Sequence, residues 1–190
     1  MALSSSRSRP ALITGALIAL GCFTVPAHAT DYWTPKALLG EFFKGSKKVA
    51  PKRVTLTEAD AADIARKLGT EPSKLKRTWS IYVGEADDKR TGYAMLDAEI
   101  GLHDLMDIGV RFDDKGRVER MEIMAFREPY GDGVRADRFR NQFVGKGPGD
   151  AIVAGRDIDI VSGATLSSRA AAVMVKRDAL VLQAALKNGL

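Results

Sequence analysis

Two stretches near the start of the chain carry apolar residues at helical spacing. Residues 34–45 begin with a threonine and a proline, a typical helix start, and end at a glycine. Residues 57–69 begin with Thr57 and Asp60, which resemble a capping box, and end at Gly69, a natural helix stop. The sequence therefore predicts two short helices with a polar connector between them.

From Arg77 onward the pattern changes to an alternation of apolar and polar residues, which is typical of half-buried strands. A turn at 87–90 and a hairpin signal, Asp-Asp-Lys-Gly at 113–116, divide this stretch. A meander of four strands is therefore predicted, the first from Arg77 and the others over residues 91–100, 105–112 and 117–126.

The rest of the chain alternates between loops and helices. Glycine and proline mark loops at 128–133 and 145–149, with a short helix predicted over 137–143 between them. After a brief extended stretch at 157–161, an alanine-rich segment predicts the longest helix, over residues 167–186. This order of elements predicts an α+β fold, in which packed helices cover one face of a mainly antiparallel meander sheet and a long helix ends the chain.

The first 29 residues have the layout of a secretory signal peptide. Arg7 and Arg9 precede an apolar run at 11–25, and Ala-His-Ala at 27–29 has the small-x-small pattern of a cleavage site. The run is shorter than the ~20 residues that a spanning helix needs, which favours cleavage over an uncleaved membrane anchor. We therefore expect a periplasmic or otherwise exported protein from which residues 1–29 have been removed.

Cys22, the single cysteine of the chain, lies near the end of that apolar run. It permits a second interpretation, a lipid-modified cysteine at a lipoprotein cleavage site, but Ala19 stands where a larger aliphatic residue is usual. If cleavage follows Ala29, the mature chain has no cysteine. It then has no disulfide, no thiolate nucleophile and no cysteine-bound metal or iron–sulfur site.

Composition and charge are those of an ordinary globular protein of 190 residues, long enough to bury a sizeable core. The formal net charge is +5, but the basic residues are scattered among 24 acids, so we expect no nucleic-acid partner. Five basic residues close together form what we call the basic cluster: Lys44, Lys47, Lys48, Lys52 and Arg53. We interpret this cluster as a solvated connector; the alternative is a docking patch for an acidic partner or an anionic membrane surface.

The candidate chemistry lies at the entrance of the long helix. Residues 162–165, Ser-Gly-Ala-Thr, form a tight turn of small residues that we call the SGAT turn, in which Gly163 permits a backbone conformation that a side chain would obstruct. Free N–H groups and the positive end of the helix dipole favour an anion there, so a phosphate beside Thr165 would be stabilised. The alternative is that Ser162 or Thr165 caps the helix and nothing binds.

Together with Asp159, the SGAT turn resembles the acceptor motif of the FMN-binding domain family, Asp-x-x-Ser/Thr-Gly-Ala-Thr, at every fixed position. The family includes subunits of the sodium-translocating NADH:quinone reductase and of the related Rnf electron-transport complex, and many free-standing exported proteins. Its last motif threonine carries FMN through a phosphodiester bond. The resemblance implies that Thr165 is the covalent attachment site and that the cofactor site also includes Asp159, Ser162, Gly163 and Ala164.

The resemblance runs in the family's order from about Trp79 to Ala185. It assigns residues 76–190 to an FMN-binding domain and leaves residues 30–75 as an N-terminal helical segment. Glu128 and Tyr130 lie where the family has a Glu-Thr-Pro-Gly loop, so we expect both to contact the flavin, with a solvated loop acid as the alternative for Glu128. The loop departs from the family's pattern, since its sequence here is Glu-Pro-Tyr-Gly-Asp-Gly.

The resemblance also implies partners. A separate FAD-dependent FMN transferase would attach the flavin, and the flavoprotein would exchange electrons with a membrane or periplasmic redox protein. No nucleotide-binding glycine motif or Ser-His-Asp arrangement occurs, and His103, with only His28 besides it, cannot form a histidine metal site. We therefore favour an electron carrier over two alternatives: an extracytoplasmic flavin-dependent reductase acting directly on a small acceptor, and a non-redox binding module that lacks flavin.

Overall fold

The computed structural model describes residues 30–190, so the predicted signal peptide and Cys22 lie outside the described residues. One sheet is formed by β1 Thr30–Asp31, β2 Lys48–Thr55, β3 Thr78–Ala86, β4 Lys89–Ile100, β5 Leu105–Phe112 and β6 Val118–Phe126. Its strand order is β1-β6-β5-β4-β3-β2, and all neighbours are antiparallel. Strands β3 to β6 are the predicted meander, so the α+β prediction is confirmed.

Within the described residues, four α-helices accompany the sheet: α1 Pro35–Phe42, α2 Glu58–Leu68, α3 Asp137–Arg140 and α4 Thr165–Lys187. Both predicted helix starts are confirmed, because a threonine hydroxyl accepts a hydrogen bond from the third residue after it. Thr34 Oγ1 accepts from the Ala37 N–H at 3.2 Å, and Thr57 Oγ1 from the Asp60 N–H at 3.0 Å. Single 3₁₀ turns lie at Pro72–Lys74, Asp132–Arg135 and Asn141–Phe143.

Helices cover both faces of the sheet. The main core lies between the sheet and α4 and α2, whereas α1 packs on the opposite face, where Leu38 and Phe42 meet Ala94 and Met124. Buried Arg111 holds this helix by donating from Nε to the Phe42 carbonyl at 3.0 Å. The expectation of helices on one face only is therefore wrong, since β4 presents apolar residues to both sides.

The sheet has two strands more than the sequence pattern predicts, β1 and β2. Strand β2 runs through the basic cluster, so the interpretation as a connector is wrong for residues 48–53, although the cluster is solvated. Only Ala50 and Val54 in β2 are half-buried, which leaves no alternation to detect. As an edge strand β2 carries lysine and proline, typical protection against unwanted strand pairing. Residues 30–75 thus supply two strands of the sheet as well as α1 and α2.

The elements after the sheet follow the prediction more closely. The short helix at 137–143 is present as α3 and a 3₁₀ turn, and Phe139 and Phe143 meet edge to face with ring centroids 5.4 Å apart. The extended stretch at 157–161 is not a strand, and only an isolated bridge links Ala154 to Ile158. Within residues 30–190, no helix combines the length and apolar character that crossing a membrane requires.

Candidate functional site

The SGAT turn opens onto solvent at the start of α4. Thr165 is the first residue of the helix and is exposed, as are Ser162 and Gly163. Gly163 has φ 76°, the left-handed conformation that the sequence predicts for it. Buried Ala164 is the N-cap residue, and among the described residues no side chain caps this helix start. The first N–H groups of α4 are therefore available to an anion, at the positive end of a 23-residue helix.

The alternative in which Ser162 or Thr165 caps α4 is wrong, because the N-cap position falls on an alanine. The turn is held from the helix side instead. The Val161 N–H donates to the buried Ser168 hydroxyl at 3.2 Å, and the Ala164 N–H donates to the Val161 carbonyl at 2.9 Å. Within residues 30–190, neither the Ser162 nor the Thr165 hydroxyl caps the helix.

Asp159 is fixed through its backbone. The Asp159 N–H donates to Gln142 Oε1 at 2.7 Å, and Gln142 Nε2 donates back to the Asp159 carbonyl at 3.5 Å. The Asp159 residue itself is exposed. The 3₁₀ turn that contains Gln142 therefore sets the path of the chain three residues before the SGAT turn.

Asp157 organises the same loop, a role that the sequence analysis missed. Its carboxylate accepts hydrogen bonds from the N–H groups of Ile152 and Val153 at 3.0 and 2.7 Å and from Lys146 Nζ at 3.0 Å. Burial opposes ionisation, but the Val153 and Lys146 hydrogen bonds outweigh it and lower the Asp157 pKa to about 2. An aspartate beside Gly155 in a loop is a typical turn signal and could have indicated this role.

The loop at 128–133 lies directly against the SGAT turn. Gly131, with φ 96°, packs on Ser167 and Ala164, and a Cβ on Gly133 would lie 2.8 Å from Val161 Cγ1. The structure therefore brings together the two segments that the sequence analysis assigned to one site. Glycine is needed at these positions because backbone meets side chain with no space between them.

Glu128 and Tyr130 differ in their surroundings. One oxygen of Glu128, Oε1, accepts from the backbone N–H groups of Leu102, His103 at 2.7 Å and Asp104 at 3.2 Å. Glu128 thus ties the β4–β5 turn to the loop and is not the solvated acid considered as an alternative. Tyr130 is 79% exposed beside Gly131, free to contact a ligand above the SGAT turn.

His103 lies exposed in the β4–β5 turn. Among the described residues, no group of three or more histidine, cysteine, aspartate or glutamate side chains is placed to hold a metal ion. The chemistry that this end of the molecule offers is therefore an exposed hydroxyl, free helix N–H groups and adjacent glycine-lined backbone.

Comparison with known proteins places this geometry in context. Residues 101–179 match the family model of the FMN-binding domain, and the match includes Glu128, Asp159 and the whole SGAT turn. A crystal structure of Shewanella oneidensis NqrC superposes with a TM-score of 0.50 and 17% sequence identity, over 77% of this chain and 87% of that chain. A search of the curated proteins found no match. The structural similarity shows a shared fold.

Proposed function

The chain is a member of the FMN-binding domain family through residues 101–179, and from this premise we propose that it is an exported flavoprotein that carries FMN covalently on Thr165 and transfers electrons. FMN binding follows from the family. Covalent attachment, export and the redox partner are the proposal, supported by the site geometry and the sequence.

The observation that carries the proposal is the uncapped start of α4. Thr165 presents an exposed hydroxyl at the first helical position, and no side chain of the described residues occupies the N–H groups beside it. A phosphate esterified to Thr165 Oγ1 would lie next to these donors and to the positive end of the helix dipole. The residues present therefore fit the phosphate of FMN. When the cofactor is bound, its isoalloxazine ring would supply reversible electron transfer.

The attachment step needs a separate enzyme. A threonine hydroxyl is a poor nucleophile, and among the described residues no side chain hydrogen-bonds Thr165 to activate it. In an FAD-dependent FMN transferase, the Thr165 oxygen would bond to the FMN phosphorus of FAD while the pyrophosphate bond breaks. AMP would leave, and the hydroxyl proton would pass to a base of the transferase.

The remaining residues of the site have positioning roles. Ser168 and Gln142 fix the backbone at Val161 and Asp159, just before Ser162, and Gly131 brings the loop with exposed Tyr130 beside the turn. A ligand anchored at Thr165 would meet this loop, whose tyrosine offers an aromatic face. Because the turn is exposed, a membrane or periplasmic redox protein could approach a flavin held there.

The test is co-expression with an active transferase, followed by denaturation, in-gel flavin fluorescence and peptide mass mapping. Wild type should gain FMN less one water on the Thr165 peptide, and Thr165→Val should lose the label. Thr70→Val is the matched control, since it removes an exposed threonine hydroxyl away from the SGAT turn and should keep the label. Fluorescence that persists in denatured Thr165→Val would place the acceptor elsewhere. A wild type that stays colourless would favour the binding module without flavin.

Export has its own measurement. Amino-terminal sequencing of protein from its native source should find Thr30 as the first residue. A retained Met1 or a lipidated Cys22 would contradict the cleaved signal peptide without affecting the flavin assignment.

A further inference from the structure

A second cationic site lies away from the SGAT turn. The loop at 148–156 stands off α4 and α2, and a cleft of about 540 Å³ opens between them. Three cationic side chains line it, Lys67 from α2, Arg156 from the loop and Lys176 from α4. We call this the cationic cleft. Lys176 follows Thr165 by about three turns of α4, or roughly 16 Å, so the two sites are separate.

Lys176 is the central cation of the cleft. Its Nζ donates to the Pro148 carbonyl at 2.9 Å and to the Asp150 carbonyl, which leaves one N–H to point elsewhere. Burial and then the charge of Lys67 lower the Lys176 pKa. Two neutral carbonyls orient this half-buried ammonium group but do not neutralise its charge.

Asp150, which lines the cleft, and nearby Asp157 raise the Lys176 pKa through their charges, but both carboxylates have closer partners. Asp150 Oδ2 accepts from the Gly147 N–H at 2.7 Å and lies 3.8 Å from Arg117 Nη1. Lys67 pairs with Asp63 at 2.8 Å. For Lys176 and exposed Arg156, no carboxylate of the described residues lies within ion-pair distance. The charge of Lys176 is therefore only partly compensated, by acids beyond ion-pair distance, and Arg156 and Lys67 are further cations of the cleft.

We propose that the cationic cleft binds a small phosphate dianion, either inorganic phosphate or the phosphate of a phosphomonoester. A dianion between Lys176 and Arg156 would compensate both charges, and the remaining N–H of Lys176 and the guanidinium fork supply charged donors. The cleft has room for an organic substituent beside the phosphate. The proposal does not depend on flavin at Thr165.

The test is isothermal titration calorimetry of the full mature chain with inorganic phosphate, glycerol 3-phosphate and, as the neutral control, glycerol. Arg156→Gln removes an exposed cation that holds no structural contact and should weaken phosphate binding about five- to tenfold. Lys176→Met should weaken it at least as much, with thermal unfolding to check that the loop survives. Arg138→Gln, an exposed arginine on α3, is the matched control and should leave the affinity unchanged.

Saturable one-to-one binding of phosphate or of glycerol 3-phosphate that is weakened about five- to tenfold in Arg156→Gln and unchanged in Arg138→Gln supports the site, and the tighter of the two ligands identifies the source. Three results would overturn it: no saturable binding of either anion, equal weakening in Arg156→Gln and Arg138→Gln, or binding of glycerol as tight as that of its phosphate. Equal weakening would show only the effect of net charge.

Discussion

A Cβ atom on Gly131 would lie 2.8 Å from Ser167 Oγ, because the loop after β6 meets the first turn of α4 at the backbone of this glycine. Gly131 also has φ 96°, which L side chains rarely adopt. Contact and conformation together explain why glycine occupies this position. The loop and the SGAT turn therefore form one unit, and a change in the loop should reach the turn.

Gly131→Ala tests this coupling. We expect a loss of about 2–4 kcal/mol in the free energy of unfolding, from left-handed strain plus the clash with Ser167, and reduced flavin labelling because the SGAT turn must shift. Urea unfolding and in-gel fluorescence measure the two effects. Gly145→Ala is the control, since Gly145 has φ 80° but open space around it, and should cost only about 1–2 kcal/mol. Equal losses of unfolding free energy in both variants would show that the contact with Ser167 contributes nothing to the destabilisation.

The loop before the SGAT turn should respond to acid through Asp157. Its pKa is about 2 in the folded chain against 3.8 for the free side chain, so its ionised form stabilises the fold above pH 4. This contribution, about 1–2 kcal/mol after allowing for partial exposure, is lost as the pH falls from about 4 towards 2. In urea unfolding, Asp157→Asn should be weaker than wild type at pH 7, and the difference should shrink below pH 4. Exposed Asp132→Asn should show no such difference.

The sequence predicts the meander because turn and hairpin signals divide its strands, although β4 to β6 bury residues on both faces, and it predicts α1 and α2 because threonine caps mark their starts. It misses β2, an edge strand in which only two residues are half-buried. The motif locates the SGAT turn, but it does not show that Ser168 holds this turn, because the bond joins Val161 to a side chain seven residues away. Such pairings depend on the folded backbone and leave no local pattern.

A buried carboxyl pair connects α4 to the sheet. Asp97 on β4 pairs with Arg177 at 2.7 Å, while Asp178 is fully buried and neither of its oxygens has a hydrogen-bond partner among the described residues. Burial and then the charge of Asp97 raise the Asp178 pKa well above its ordinary value. Burial therefore favours the protonated form of the Asp178 carboxyl beside Asp97.

The variant Asp178→Asn tests whether the Asp178 carboxyl is protonated in the folded chain. Because the Asp178 pKa is raised in the folded chain, the contribution of its protonated carboxyl to the free energy of unfolding is complete below the unfolded pKa of 3.8. This contribution is lost as the pH rises through the folded pKa. An asparagine keeps the shape and a donor without titrating, so the variant should equal or exceed wild type in stability at pH 8. Asp97→Asn, which breaks the pair with Arg177, should lose about 3 kcal/mol. A comparable loss in Asp178→Asn at pH 8 would show that Asp178 is ionised.

The basic cluster bears on where a redox partner docks. Within it Lys47 pairs with Asp87 and Lys48 with Glu85, which partly neutralises the patch. Lys48, Lys52 and Arg53 of the cluster lie on edge strand β2, whereas the loop that contacts the SGAT turn follows β6, on the far side of the sheet. Four strand spacings separate β2 from β6, roughly 19 Å, which exceeds the ~10 Å screening length at 0.1 M salt. A partner close enough to a flavin on Thr165 should therefore feel little of this charge.

Charge reversal of two exposed lysines of the cluster, Lys44 and Lys52, tests that conclusion, since Lys47 and Lys48 are already paired with acids. We expect Lys44→Glu combined with Lys52→Glu to change the rate of electron transfer with the natural partner by less than about twofold at 0.1 M salt, because screening removes the interaction over this distance. Stopped-flow measurement on flavin-loaded protein gives the rate, and Lys36→Glu combined with Lys74→Glu is the control of equal charge. A rate about tenfold lower in the first variant alone would mean that the cluster steers the partner, provided that the difference from wild type shrinks as salt is added. In that case the partner would have to contact the β2 edge, and electron transfer would have to follow from a complex that spans the sheet.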